Sequence, residues 1–199
     1  MKMTMMNFNL NDNSLVGGGT AIFNNGVAGK VENVSVEIKR KEASGPLSYS
    51  DYTLVITDAN GTSLNNFFSY FKNNDNYDAA KNQANQGYLL SRILSIAHAI
   101  MPKDTVYPDV SGKSCNEIVD ILFRLINDNA EGKKANVFVT YGTKTKPSQF
   151  LELRFFNFIE AVDTTKSRLS ATGLDMMERL VADAPSAGTG ETGAVSAGW

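Results

Sequence analysis

The sequence predicts a mainly β domain with inserted helices, an α+β protein whose five-stranded antiparallel sheet carries a large helical insert between its third and fourth strands. Three observations carry that expectation. Three strand-like runs, 30–42 with apolar residues at every second position, 52–57 and 63–71, are followed by helical spacings over 76–101 and a second helix from 114 to 129. Residues 133–160, KKANVFVTYGTKTKPSQFLELRFFNFIE, then return to the strand period on either side of a polar loop. At 199 residues the chain suits one domain. It divides into a flexible arm (1–29), a single domain (30–182, with the helical insert at 76–129) and a disordered tail (183–199).

The arm is rich in Asn and Gly, with Gly17-Gly18-Gly19 at its centre and one short strand at residues 20–23. The triple glycine lacks the strand–glycine–helix context of a phosphate cradle and reads as a linker. The first long strand spans residues 30–42, with Val34, Val36 and Ile38 on one face, and Val31 out of phase, which marks a bulge. Gly45-Pro46 ends that run. A second strand at 52–57 leads into Asn60-Gly61, a turn signal, and a third follows at 63–71 with Phe67, Phe68, Tyr70 and Phe71. Residues 76–101 place Tyr77, Ala80, Ala84, Tyr88, Ile93, Ala97 and Ile100 at helical spacings, and Pro102 stops the helix. Ser114-Cys115-Asn116-Glu117 is a capping box that opens a second helix ending near Asn129. The fourth and fifth strands fall at 136–141 and 149–159. Thr172-Gly173-Leu174-Asp175 predicts a short helix over 174–182.

Composition excludes several function classes. The formal net charge of −2 excludes a globally basic nucleic-acid binder but not a local basic groove. One cysteine, Cys115, and one histidine, His98, leave no disulfide and no His/Cys metal cage, and no cofactor is implied. No leader peptide and no membrane span is evident, so the expected compartment is a reducing cytoplasm. Gly112-Lys113-Ser114 resembles the end of a phosphate-binding loop, but Tyr107 stands where its first glycine belongs, and helix capping accounts for the serine. His98 lies in an apolar helical stretch, and the acidic residues are dispersed. Nothing here supports an enzyme.

The fifth strand is different in kind. Leu151, Leu153, Phe155 and Ile159 form an ordinary core face. The opposite face mixes Phe150, Phe156 and Phe158 with Glu152 and Arg154, beside a loop holding Lys144 and Lys146. A single-strand binder needs flat side chains on which bases stack and a positive groove for phosphates. Tyr70, Phe138, Phe150, Phe156 and Phe158 are the candidate planes, and Lys39, Arg40, Lys41, Lys133, Lys134, Lys144, Lys146 and Arg154 the candidate charges. The plainer alternative buries both faces of this strand, the outer one beneath a helix.

The order of three strands, helical insert and two strands is that of an OB fold, a five-stranded antiparallel barrel. With a polar tail bearing Asp183 and Glu191 and ending on Trp199, the layout resembles bacteriophage single-stranded DNA-binding proteins. That resemblance implies binding of single-stranded DNA, or RNA, without strong sequence preference, in DNA replication or recombination. It also implies that Trp199 docks to replication partners, although this tail is much less acidic than the family pattern. The competing class is a structural or assembly protein, such as a virion component, whose aromatic face is an interface between subunits of a homo-oligomer.

Overall fold

The computed structural model describes residues 22–40, 52–130 and 132–179. The fold is mixed α+β. Its strands are β1 (Gly29–Arg40), β2 (Tyr52–Thr57), β3 (Ser63–Phe68), β4 (Lys134–Thr143), β5 (Lys146–Leu153) and β6 (Ile159–Ala161), with helices α1 (Ala79–Ile100) and α2 (Cys115–Ala130) between β3 and β4. All six strands join one antiparallel sheet in the order β3-β2-β1-β4-β5, with β6 also on β4.

The sheet is not the closed barrel expected. No ladder joins β3 to β5 among the described residues, so these two strands remain its ends. The cause lies in β5. Val139 faces Leu153 and Val137 faces Ile159, so two steps along β4 correspond to six along its partner. β5 and β6 are therefore halves of one strand interrupted at residues 154–158, where Asn157 takes a left-handed φ of 47°. Nearer the hairpin, two steps from Thr140 to Gly142 correspond to five from Glu152 to Pro147, a second irregularity. A strand broken twice cannot offer the evenly spaced donors and acceptors that closure needs.

β1 contains the bulge that Val31 marks, with its register on β4 shifting between Val31 and Val34 and Asn33 at φ 56°. Both valines are consequently buried. In the β2–β3 turn, the Asp58 carboxylate accepts from the backbone N–H groups of Asn24 (2.7 Å), Asn60 (2.9 Å) and Thr62 (2.9 Å), while Gly61 adopts φ 79°. Of the expected arm, residues 22–28 pack on the domain: Phe23 is buried in a 3-10 turn, and the Tyr141 hydroxyl donates to Gly26 O at 2.6 Å. The N-cap of α1 is Asp78, whose side chain accepts from Lys81 N at 2.7 Å. α2 opens on the expected box, Ser114 N donating to Glu117 Oε2 at 2.8 Å.

The helices cover the inner face of the sheet. Ile93, Ile96, Ala97 and Ile100 of α1 and Val119, Leu122, Phe123 and Ile126 of α2 join the inward side chains of β1, β2, β4 and β5 in one core. Phe123 stacks on Tyr52 with centroids 4.3 Å apart. The short helix expected from Leu174 onward is absent among the described residues. Asp175 still accepts from Thr172 N at 2.7 Å, but after a turn at 173–174 it forms an isolated antiparallel bridge with Thr143 of β4, with Tyr141 N donating to Met176 O (2.8 Å) and Met176 N to Gly142 O (3.1 Å). Pairing with an unfilled stretch of β4 outcompetes the local capping signal.

Candidate nucleic-acid interface

The interrupted strand sets out the exposed rings. Phe150 sits in the first irregularity, which Ser148 secures by accepting from Phe150 N (3.1 Å) and donating to Phe150 O (2.9 Å) through its hydroxyl. Its ring is 74% exposed. Phe155 and Phe156 sit in the second, 50% and 55% exposed, edge-to-face with centroids 4.6 Å apart. Tyr88 of α1 meets Phe156 edge-on at 5.9 Å. Phe67, exposed on β3, shares an outer-face row with Thr53 and Lys39.

Arg92 lies under this group and spans the gap between the sheet's ends. Its guanidinium donates to Asn66 of β3 at 3.3 Å and lies over Phe68 (5.4 Å), Phe155 (4.6 Å) and Phe158 (5.1 Å). Burial pushes it down from its ordinary value, although arginine stays charged at neutral pH. Its Nε is buried without a hydrogen-bond partner. What the sheet leaves unclosed by backbone, Arg92 bridges with a side chain.

The predicted site residues separate on this geometry. Phe150, Phe156, Lys144 and Lys146 are exposed along β5 and its hairpin, whose turn is only Lys144-Thr145 because Thr143 faces Lys146. Lys39 is exposed and paired with Glu37 at 3.3 Å. Lys41 and Trp199 lie outside the described residues.

Two assignments are corrected, and a third residue is shared with the scaffold. Phe138 is 2% exposed, covered by the Arg154 guanidinium 4.3 Å from its ring centroid. Arg154 is itself buried. It pairs with Asp175 at 3.1 Å and donates to the carbonyls of Phe156 (2.8 Å), Asn157 (2.7 Å) and Ser170 (2.6 Å), holding the interrupted strand against the segment that follows β6. Burial would raise the Asp175 carboxyl, but hydrogen bonds from Thr172 and the Arg154 guanidinium outweigh it and hold it low. Tyr70 is half-buried, and its hydroxyl joins that of Tyr52 on Asp120 Oδ1, an arrangement that braces β2 and α2. Phe138 and Arg154 build the scaffold and leave no face for a base, whereas Tyr70 keeps a partly exposed ring while its hydroxyl serves the scaffold.

Phe155, Tyr88 and Arg92 were missed, and Phe67 was seen only as a strand residue. The alternation breaks where Leu153 and Arg154 are both buried and again where Phe158 and Ile159 are, on either side of the left-handed Asn157, so Phe155 is outward and Phe158, expected outside, is 1% exposed in the core. Asn between aromatic residues, a type that tolerates left-handed backbone, was the available signal. Comparison with protein-family models, curated proteins and solved structures returns no match.

Proposed function

We propose that this protein binds single-stranded nucleic acid, DNA by preference and without strong sequence selection, along the edge strand β5–β6. One observation carries the reading: Phe150, Phe155 and Phe156 are held out to solvent by irregularities of a strand whose neighbouring hairpin bears Lys144 and Lys146. Rings at a strand's irregularities contribute little to folding, whereas base stacking on exposed aromatics is worth about 1–3 kcal/mol per base. The strand order β3-β2-β1-β4-β5, with helices between β3 and β4, supports an OB-like domain whose barrel is left open. The layout favours a non-enzymatic role in phage DNA replication or recombination in the host cytoplasm. Among the described residues, no helix is long and apolar enough to cross a membrane.

The same rings could instead be buried between subunits of an assembly protein, a reading favoured by the size of Phe67 and Phe150 and their exposure. Fluorescence anisotropy with oligo-dT separates the two. Saturable binding that weakens by about 1–3 kcal/mol in Phe150→Ala or Phe156→Ala, with unchanged melting, supports the proposal. Stable oligomers that ignore oligo-dT at low salt would refute it.

A further inference from the structure

The aromatic group ends at a polar cleft. Asn157, next to Phe156, is one wall of a hollow of about 430 Å³ between α1, β6 and residues 163–169. A second hollow, about 460 Å³, adjoins it and shares His98, Ala99, Lys103, Ala161 and Asp163. The two are lined by Lys103, Lys133, Lys134, Lys166 and Arg168. The facing acids are Glu160 and Asp163, and both are already engaged. Glu160 pairs with Lys30 at 3.4 Å and accepts from Ser167 Oγ (2.7 Å) and Arg168 N (3.0 Å), while Asp163 pairs with Lys103 at 3.0 Å. Among the described residues, no ion pair involves Lys133, Lys134, Lys166 or Arg168, and all four are exposed. A concave surface with four uncompensated cations attracts a polyanion.

α1 ties the two regions together. Tyr88, which touches Phe156, and Arg92, which touches Phe155, continue at helical spacing to Ser95 and Ala99, which line the cleft. One helix edge and one interrupted strand thus run from the stacking rings to the cations. From Thr143, opposite Lys146, to Ala135, opposite Ala161, β4 makes eight steps, a length of about 26 Å.

Resting on the nucleic-acid reading above, we propose that this cleft is a phosphate track. It holds the backbone of the same strand whose bases stack on Phe155 and Phe156, so that the bound strand runs the length of β5–β6 from the lysine hairpin to Arg168.

The test compares wild type with the variant Lys133→Ala/Lys134→Ala/Lys166→Ala/Arg168→Ala, and with Phe156→Ala, by anisotropy across a salt series on the full chain. The probes are oligo-dT of about 6 and about 20 nucleotides, within and beyond the roughly 4–16 nucleotides one such domain covers. On the long probe the fourfold variant should lose about 0.7 of the log–log salt slope for each phosphate contact removed. On the short probe, which the rings and hairpin can hold alone, its slope should stay close to that of wild type. Phe156→Ala should weaken both probes and leave the slopes unchanged. A wild-type slope in the fourfold variant on the long probe, with Phe156→Ala still weakened, would overturn the track and spare the nucleic-acid reading. Failure of the wild type to bind either probe at low salt would overturn both. Circular dichroism melting of the variant guards against misfolding, and the fourfold charge reversal to Glu offers a second route: it should weaken the long probe more than the Ala variant does, and equal affinity in the two variants would overturn the track.

Discussion

Arg154 and Arg92 flank the same aromatic loop and do different work. Arg154 is sealed against Phe138 and paired with Asp175, so Arg154→Ala leaves a buried carboxylate without its cation and should cost about 3–5 kcal/mol, read by chemical denaturation. Because the Asp175 carboxyl is held below its ordinary value, the stability it adds is present above about pH 4 and is lost as pH falls through the lowered folded value. Acid melting of Asp175→Asn should therefore be flatter than that of wild type in this range. The rings divide likewise. Phe158→Ala should cost about 3–5 kcal/mol of stability, because that ring is in the core, whereas Phe156→Ala should leave melting nearly unchanged and act on binding. Alternation in residues 150–159 showed that aromatics and a charge share this strand. It could not show which rings face out, because the strand is interrupted between Leu153 and Ile159 and strict alternation does not hold there.

The helices and the first strands were legible because their signals are local. A proline stop, a capping box, an Asn-Gly turn and a valine out of phase each act within a few residues, and each has its counterpart in α1, α2, the β2–β3 turn and the β1 bulge. The Asp78 cap of α1 gives a check, since Asp78→Ala should cost about 1 kcal/mol. The β4–β5 hairpin gives a stronger one. Gly142 has φ 79°, and a Cβ there would lie 2.4 Å from Lys146 O. Gly142→Ala should therefore destabilise by at least the roughly 1–3 kcal/mol of a strained backbone position, read as a fall in melting temperature. Elements that depend on distant partners were misread. Residues 174–176 carry a helix-start pattern and yet bridge to β4, and nothing within that stretch reports the vacancy they fill.

At the scale of the molecule, a net charge of −2 coexists with cations gathered at the hairpin and the cleft, so the proposed binding rests on the placement of charge rather than its total. Replacing Lys144 and Lys146 with Ala should weaken binding of single-stranded oligonucleotides of every sequence alike and reduce the salt slope. The open sheet was not legible, because strand order alone does not say whether the first and last strands meet. Arg92 bridges that gap through Asn66, Phe68, Phe155 and Phe158. A sheet left open ordinarily invites polymerisation, since a free edge is a template onto which a second copy can zip. The two interruptions of β5–β6 remove that template: no long run of regularly spaced N–H and C=O groups remains along the edge that displays the rings. The irregularity that exposes the aromatics thus also blunts this one of the sheet's two ends, leaving β3 as the only regular free edge among the described strands, and light scattering of the chain at high concentration should show no growth through β5–β6.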